Sequence, residues 1–353
     1  MDFAQFSPVI NAIIFVAAGV VVWLAGARIT TYANALSIKT GFGEAIVGML
    51  LLAGITSLPE VGVTITSAAT GAVDMAVNSM FGSIAFQIVI LAVVDLLIGR
   101  RALTAVVPDP MVMLQGGLNV LLLALVVAGM IVGDVSIAGV GAWVWASLGA
   151  YVASVYIMAQ SQGRRPWLAA SHGKVDRRLD EQRKKAQAAA GDEHGDESLT
   201  RIIVWIAGLA AVVLGAGYLL AMTGDALAEQ SGLGGSFMGF LLLAAASSLP
   251  ELSTAITAAQ KGLYTLAISD ILGTNLINIA LLFPIDAISD GEPVLNASGR
   301  FAQFGALLGI MVTALFVVGL AERGDKTVAR MGLDSIAVFA VYGIGLIILY
   351  VLR

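Results

Sequence analysis

Ten predominantly apolar stretches of about 20 residues or more recur along this chain, near 8–31, 43–70, 74–98, 111–132, 136–159, 201–222, 234–260, 264–288, 300–320 and 333–352. Each is long enough to cross a hydrocarbon layer of roughly 30 Å as a helix. Backbone inside lipid must satisfy its own hydrogen bonds, which restricts single apolar spans to helices. The expected fold class is therefore an all-α polytopic membrane protein with ten transmembrane helices, and the lipid bilayer is its first implied partner. Composition agrees: 12% of residues are charged, against roughly 25% in soluble proteins. The opening MDFAQFSPVI has no basic n-region and no small-residue cleavage site, so it reads as the start of a first span and not as a removed leader.

The same composition narrows the function. The net charge is −5 and the basic residues concentrate in one loop, so nothing suggests a nucleic-acid partner. There is no cysteine, and the only histidines, His172 and His194, lie in the one long hydrophilic segment. Neither a nucleophile–base pair nor a Cys-based or His-based metal triad can be assembled within the apolar spans, which argues against an enzyme and against any cofactor. The hydrophilic segment divides the chain into a first five-helix unit at 1–160, a linker at 161–200 and a second five-helix unit at 201–353. It reads as solvated, with helical character around 175–190. A regulatory ion-binding loop using Asp192, Glu193, His194, Asp196 and Glu197 is the alternative, although that cluster lacks the spacing of an EF-hand loop.

Positive charge sets an expected orientation. With ten spans, 17 of the 19 Lys and Arg residues fall on the side of the long loop, and only Arg300 and Arg353 on the other. The positive-inside bias places the long loop in the cytoplasm of a cell whose plasma membrane holds the protein, with both termini outside.

The two units are related. At a fixed offset of 191, residues 48–91 align without gaps to 239–282, with 17 of 44 positions identical, including Pro59/Pro250 and Glu60/Glu251. Shared leucine alone would not preserve a Pro-Glu pair. Because each unit has five spans, an odd number, the repeats are expected to enter the membrane in opposite senses. That inverted topology is characteristic of secondary transporters, whose sites lie near the bilayer midplane on interrupted helices.

The repeated segments are TSLPEVGVTIT (56–66) and SSLPELSTAIT (247–257). Proline lacks an N–H and clashes with the preceding turn, so carbonyls from about Ala53 to Thr56 are expected to lose helical partners. A desolvated cation would satisfy them. Thr56 and Ser57 add hydroxyl ligands and Glu60 a charge, with Ala244, Ser247, Ser248 and Glu251 in the matching places. In the next span, SMFGSIAFQ (79–87) faces DILGTNLIN (270–278). Ser83 and Gln87 share one helical face, as do Thr274 and Asn278, and Gly82 and Gly273 permit a break or a close backbone approach. A single proline, serine or glycine in such helices usually serves kinking or packing. A mid-membrane carboxylate is costly, and two at equivalent repeat positions point to a cation site. The ligands are hard oxygens, which suit calcium or sodium and disfavour zinc or copper.

With GITSLPE and AAASSLPE followed by NSMFGSIAFQ and SDILGTNLIN, the chain resembles the calcium/cation antiporter superfamily across both repeats. The resemblance implies Glu60 and Glu251 as principal calcium ligands, with Thr56, Ser57, Ser247, Ser248, Ser83, Thr274, Gln87 and Asn278 and the carbonyls of Ala53 and Ala244 around them. It also implies exchange of Ca2+ for Na+ or H+ by alternating access, in which the first and sixth spans slide across the core. Another divalent cation, Mg2+ or Mn2+, is the alternative cargo, and a cation channel is a weaker one.

Two departures from the family pattern stand out. Asn278 stands where exchangers of this layout often carry aspartate, with Gln87 as its counterpart. The glutamates then supply a charge of −2, equal to one calcium, two sodium ions or two protons. Asp270 occupies the motif's asparagine position, with Ser79 as its counterpart, and is read either as a residue bonding a broken helix or as a proton or cation relay. Asp95 is read as interfacial, beside Arg100. Asp74, Asp109, Asp134, Asp225, Asp286 and Asp290 are expected to face water or headgroups.

Overall fold

The computed structural model describes residues 3–41, 44–69, 71–98, 101–107, 109–161, 197–231, 240–241, 244–289, 291–322, 324, 327–328 and 330–352. The expected helix around 175–190 and the candidate ion-loop positions Asp192, Glu193, His194 and Asp196 lie outside them. Glu197, at the edge of that segment, lies 3.7 Å from Arg201, and its carbonyl accepts a hydrogen bond from Lys39 Nζ at 2.6 Å.

The first half runs α1 (Pro8–Thr40), α2 (Glu44–Ile46), a π-helical turn (Val47–Leu52), α3 (Ala53–Thr56), α4 (Leu58–Ala69), α5 (Val73–Ile98), α6 (Leu103–Val106), α7 (Met111–Val132), β1 (Ser136–Ile137), β2 (Val140–Gly141) and α8 (Ala142–Ser161). The second runs α9 (Leu199–Ser231), α10 (Ala244–Ser247), α11 (Leu249–Gln260), α12 (Tyr264–Ala280), α13 (Leu282–Ile288), α14 (Val294–Ala297), α15 (Arg300–Glu322), β3 (Thr327–Val328), β4 (Met331–Gly332) and α16 (Leu333–Leu352). Each element of the first half whose counterpart is described recurs about 191 residues on, and residues 240–241 are π-helical like their counterparts 49–50. The small β-hairpins repeat to the residue: Ser136 pairs with Gly141, and Thr327 with Gly332.

Among the described residues, eight helices are long and apolar enough to cross a membrane, or nine if the bent pair Glu44–Thr56 and Leu58–Ala69 is one span. The fold is that of an all-α membrane protein. Several bounds differ from the sequence reading. α1 continues to Thr40, past the expected end near 31, and stops at Gly41, whose left-handed φ of 73° lets its N–H return to the Ser37 carbonyl. The expected span 136–159 begins only at Ala142, because β1 and β2 turn through Ala138 and Gly139, both at positive φ. The expected span 264–288 is two helices that meet at Leu281.

Two reciprocal contacts hold the halves together. Gly82 on α5 lies against the backbone of Phe240, so closely that a Cβ there would fall 2.9 Å from the Phe240 Cα. Gly273 on α12 lies equally tightly on the π-helical turn, where a Cβ would meet Met49 Cα at 2.7 Å. Gly82 and Gly273 are 191 apart, and so are Met49 and Phe240. The glycines therefore serve close approach, and α5 and α12 run through them unbroken.

The second contact corrects the reading of three aspartates. Asp95 is fully buried: its Oδ1 accepts from Leu103 N at 2.6 Å and its Oδ2 from Gly332 N at 2.7 Å. Asp286, also buried, accepts from Val294 N at 2.7 Å and Gly141 N at 2.6 Å. Every partner in one set is the 191-residue counterpart of a partner in the other. Each carboxylate thus joins the short helix that follows it to the strand leading into the last helix of the other half. Asp134 is buried as well, bonding Val135 N and Trp143 N. Short polar turns made these positions look interfacial, but the unpaired N–H groups at helix starts supply the partners that allow a carboxylate inside. Asp74 is exposed as expected and Asp109 half-buried; the Asp225 side chain and Asp290 lie outside the described set.

Asp95→Ala or Asp286→Ala leaves two buried N–H donors unpaired, at about 1–3 kcal/mol each. Both variants are expected to lower the thermal midpoint in detergent by similar amounts; an unchanged midpoint would contradict the role of these contacts. Gly82→Ala and Gly273→Ala are expected to cost about 1–3 kcal/mol each by overpacking against backbone, read in the same assay.

Candidate cation site

Proline positions the two glutamates. Pro59 and Pro250 fall in the first turn of α4 and α11, where a missing N–H is tolerated, and each helix starts after a single serine, Ser57 or Ser248. In the first copy the chain bends by 47° there. Within the stretch 53–56 expected to lose helical partners, the Ala53 carbonyl keeps its donors, as does Ala244 in the second copy. Ala53 O accepts from Ser57 N at 3.0 Å and Ser57 Oγ at 2.5 Å, and Ala244 O from Ser248 N at 3.1 Å and Ser247 Oγ at 3.2 Å. A proline removes the donor to the carbonyl four residues earlier, which is Ile55 in one copy and Ala246 in the other. Ala53 and Ala244 are nonetheless fully buried beside the break.

The crossings at Gly82 and Gly273 bring hydroxyls of opposite halves together. Thr56 Oγ1 lies 3.4 Å from Thr274 Oγ1, and Ser247 Oγ 3.4 Å from Ser83 Oγ. These pairs are again 191-residue counterparts. Gln87 Nε2 spans the halves, donating to Glu60 Oε1 at 3.4 Å and Ser248 Oγ at 3.5 Å. Of the sequence-predicted set, the structure thus joins Thr56 to Thr274, Ser247 to Ser83, and Glu60 and Ser248 to Gln87. Its counterpart Asn278 has neither amide atom hydrogen-bonded among the described residues.

Glu60 is 4% exposed, and Glu251 and Asp270 are 0% exposed. Glu251 lies within electrostatic range of both other carboxylates. Glu60 Oε2 and both oxygens of Glu251 have no hydrogen-bond partner among the described residues, and no Lys or Arg there pairs with either glutamate. Asp270 is better held: Thr56 Oγ1 donates to Oδ1 at 3.4 Å and Thr254 Oγ1 donates to Oδ2. No three carboxylates or histidines among the described residues converge on one point, so an ion here would draw on two carboxylates plus hydroxyl and amide oxygens. Ionised carboxylates without partners are expensive in such surroundings, and a cation offsets that cost directly.

Thr254 was missed in the sequence because its counterpart is Val63; its signal was its position one helical turn after Glu251. Asn119, which donates to the Leu272 carbonyl of the other half at 2.9 Å, has no polar counterpart either. Asp95 and Asp286 were findable, since both are aspartate at the offset of 191.

A family model described as sodium/calcium exchanger protein matches residues 10–160 and 201–352. The chain belongs to the sodium/calcium exchanger family. Membership makes it a transport protein and not an enzyme. Among relatives, a putative antiporter CaxA of Alkalimonas amylolytica is 25% identical over 86% of this chain and 90% of its own length, and the inner membrane protein YrbG of Escherichia coli K12 is 27% identical over 83% and 90%. The sodium/potassium/calcium exchanger 1 of Gallus gallus is 26% identical over 41% of this chain, which spans only 21% of that protein. Of solved structures, the sodium-calcium exchanger NCX_Mj superposes with a TM-score of 0.66 at 14% identity, covering 97% of this chain and 99% of that one. The H+/Ca2+ exchanger CAX does so with 0.63 at 14%, covering 99% and 87%. At these identities the structures share the exchanger fold.

Asn278→Asp adds a fourth carboxylate to the buried cluster. In cation-free buffer its repulsion is on the order of 1–4 kcal/mol at an effective dielectric constant of about 20, so the thermal midpoint is expected to fall. An unchanged midpoint would place position 278 outside the electrostatic reach of the glutamates.

Proposed function

We propose that this exchanger is a secondary active antiporter carrying Ca2+ against Na+ or H+ by alternating access, with Glu60 and Glu251 as the charged ligands of the cargo ion. The observation that carries the reading is the pair of buried glutamates at equivalent repeat positions, with three of their four oxygens unpartnered and no basic side chain paired with them among the described residues. A net charge of −2 in a dehydrated pocket matches one calcium ion, or two sodium ions or two protons on the return. Thr56, Ser57, Ser83, Gln87, Ser247, Ser248, Thr274 and Asn278 complete the oxygen shell, with the carbonyls of Ala53 and Ala244 at its ends. The hard, mostly neutral oxygens and the two charges suit calcium, whose coordination tolerates irregular ligand sets. Asp270 stands beside the site as a proton or cation relay.

The architecture that serves this function is ten spans in two inverted five-helix repeats. The eight long helices and the bent pair support nine of those spans among the described residues, and the reciprocal 191-residue contacts support a two-fold relation between the halves. The family shared with relatives printed as antiporters and exchangers supports the transport mode. α1 and α9 pack along each other on the outside of the bundle, which suits them to slide across the core. The long loop lies in the cytoplasm and both termini outside, on the charge asymmetry of the loops.

In vesicles reconstituted with the full chain, Glu60→Gln and Glu251→Gln are each expected to reduce calcium flux to background, because one carboxylate cannot offset a divalent charge. Normal flux in both would refute the site. Release of loaded calcium driven by a sodium gradient at clamped pH identifies sodium as counter-ion; release driven only by a proton gradient identifies protons.

A further inference from the structure

The outer helices cross the two proline breaks, α1 over α11 and α9 over α4, and the crossings differ in register. Each uses a glycine, Gly26 or Gly217, which are 191 residues apart as Pro59 and Pro250 are. On one flank Gly217 rests on the proline itself: a Cβ there would fall 2.7 Å from Pro59 Cβ. On the other flank Gly26 rests on Ser253: a Cβ there would fall 2.9 Å from Ser253 Oγ and 3.4 Å from the Pro250 carbonyl oxygen. Ser253 lies about one helical turn beyond Pro250. Its counterpart on the first flank, Gly62, does not touch Gly217 in the same way.

Both differences describe one displacement. α1 and α9 are tied together at each end. Asn11 Nδ2 donates to Gln230 Oε1 at 3.5 Å, and Gln230 Nε2 to the Phe6 carbonyl at 3.0 Å. At the other end Tyr32 stacks on Trp205 with ring centres 6.1 Å apart, and Lys39 Nζ donates to the Glu197 carbonyl. In the inverted arrangement, moving this pair as one body toward the end bearing Thr40 carries Gly26 past Pro250 and holds Gly217 back from Gly62. A slide of one turn the other way would exchange the registers, with Gly217 on Gly62 and Gly26 on Pro250. Packed elements commonly switch between two such registers. Identical repeats would make the two equal in energy, but these repeats differ. Ser253 Oγ donates to the Trp23 carbonyl of α1 at 2.6 Å, and Lys261 Nζ to Thr31 Oγ1 at 2.6 Å. The counterparts of Ser253 and Trp23 are Gly62 and Leu214; those of Lys261 and Thr31 are Thr70 and Met222. Glycine has no side-chain donor, and the methionine sulfur is a weak acceptor. Neither bond therefore has an equivalent in the exchanged register.

Resting on the alternating-access reading above, we infer that Ser253 and Lys261 form a polar latch that holds the α1–α9 pair in this register and makes it the resting state of the ion-free exchanger. The latch acts at one crossing only, so the two end states of the cycle are unequal before any ion binds. Leaving this register breaks both bonds, and returning to it forms them. The short Ser253 side chain cannot follow a slide of a full turn, so its bond is lost outright.

The chain has no cysteine, so a spin-label pair can be placed by Ile38→Cys on α1 and Val132→Cys on α7. Both positions are exposed, and they lie at opposite ends of the bundle. A one-turn slide of α1 changes their separation by up to about 5 Å. In ion-free detergent solution the labelled full-length chain is expected to show mainly one distance. Ser253→Gly with Lys261→Thr copies the unlatched flank. Gly62→Ser carries the hydroxyl to that flank, where a Cβ meets no atom within 4 Å. Each change is expected to raise the ratio of displaced to resting population about fivefold or more, and the three substitutions together to make the displaced distance the majority. Thermal midpoints verify folding; where the lysine variant does not fold, Ser253→Gly with Gly62→Ser carries the test. A ratio that these substitutions leave unchanged, while calcium or sodium still shifts it, overturns the latch alone. A single distance in every variant and with either ion overturns the sliding cycle together with the latch.

Discussion

Three carboxylates lie buried in this protein with almost no access to water and, among the described residues, no basic side chain paired with them, and the rest of the structure is arranged around that cost. An ionised carboxylate in a low-dielectric interior is unfavourable by several kcal/mol unless something positive approaches it. A protein that retained such groups for stability would pair them with lysine or arginine. Here the surrounding groups are hydroxyls, amides and the ends of interrupted helices, which can solvate a cation without competing with it.

The repeat supplies the geometry. Two glycines let each half press a helix against the backbone of the other, and the same crossing carries Ser83 to Ser247 and Thr274 to Thr56. Farther out, Asp95 and Asp286 each bind one N–H from their own half and one from the other. These outer carboxylates contrast with the inner ones: all four of their oxygens have donors, so they need no ion. Buried acid is thus used in two ways within one fold, and the presence or absence of protein donors distinguishes them.

Much of this was legible in the sequence, and the limits have physical causes. Apolar run length gave the helices, and the register of Pro59-Glu60 with Pro250-Glu251 identified the pocket, because a repeat preserves costly residues at matching positions. Helix ends were less legible. α1 outruns its apolar stretch, since its last turns pack on α11 and on the π-helical turn and need no lipid-facing surface. The stretch expected to lose partners, 53–56, was too long at its start: Ala53 keeps its own helical donor, because a proline removes only the donor to the carbonyl four residues before it. Asp95, Asp134 and Asp286 were misread because their partners are backbone N–H groups distant in sequence. Thr254 and Asn119 were invisible to the repeat, as their counterparts are apolar.

The central claim is that Glu60 and Glu251 together hold the transported calcium ion. A crystal structure of the protein grown with calcium, with the ion located by its anomalous scattering, tests it most directly. The account predicts one strong calcium peak between the two halves, within direct coordination distance of both glutamate carboxylates and of hydroxyls from Thr56 or Ser247. Calcium bound elsewhere, with both glutamates contacting protein atoms alone, would contradict it.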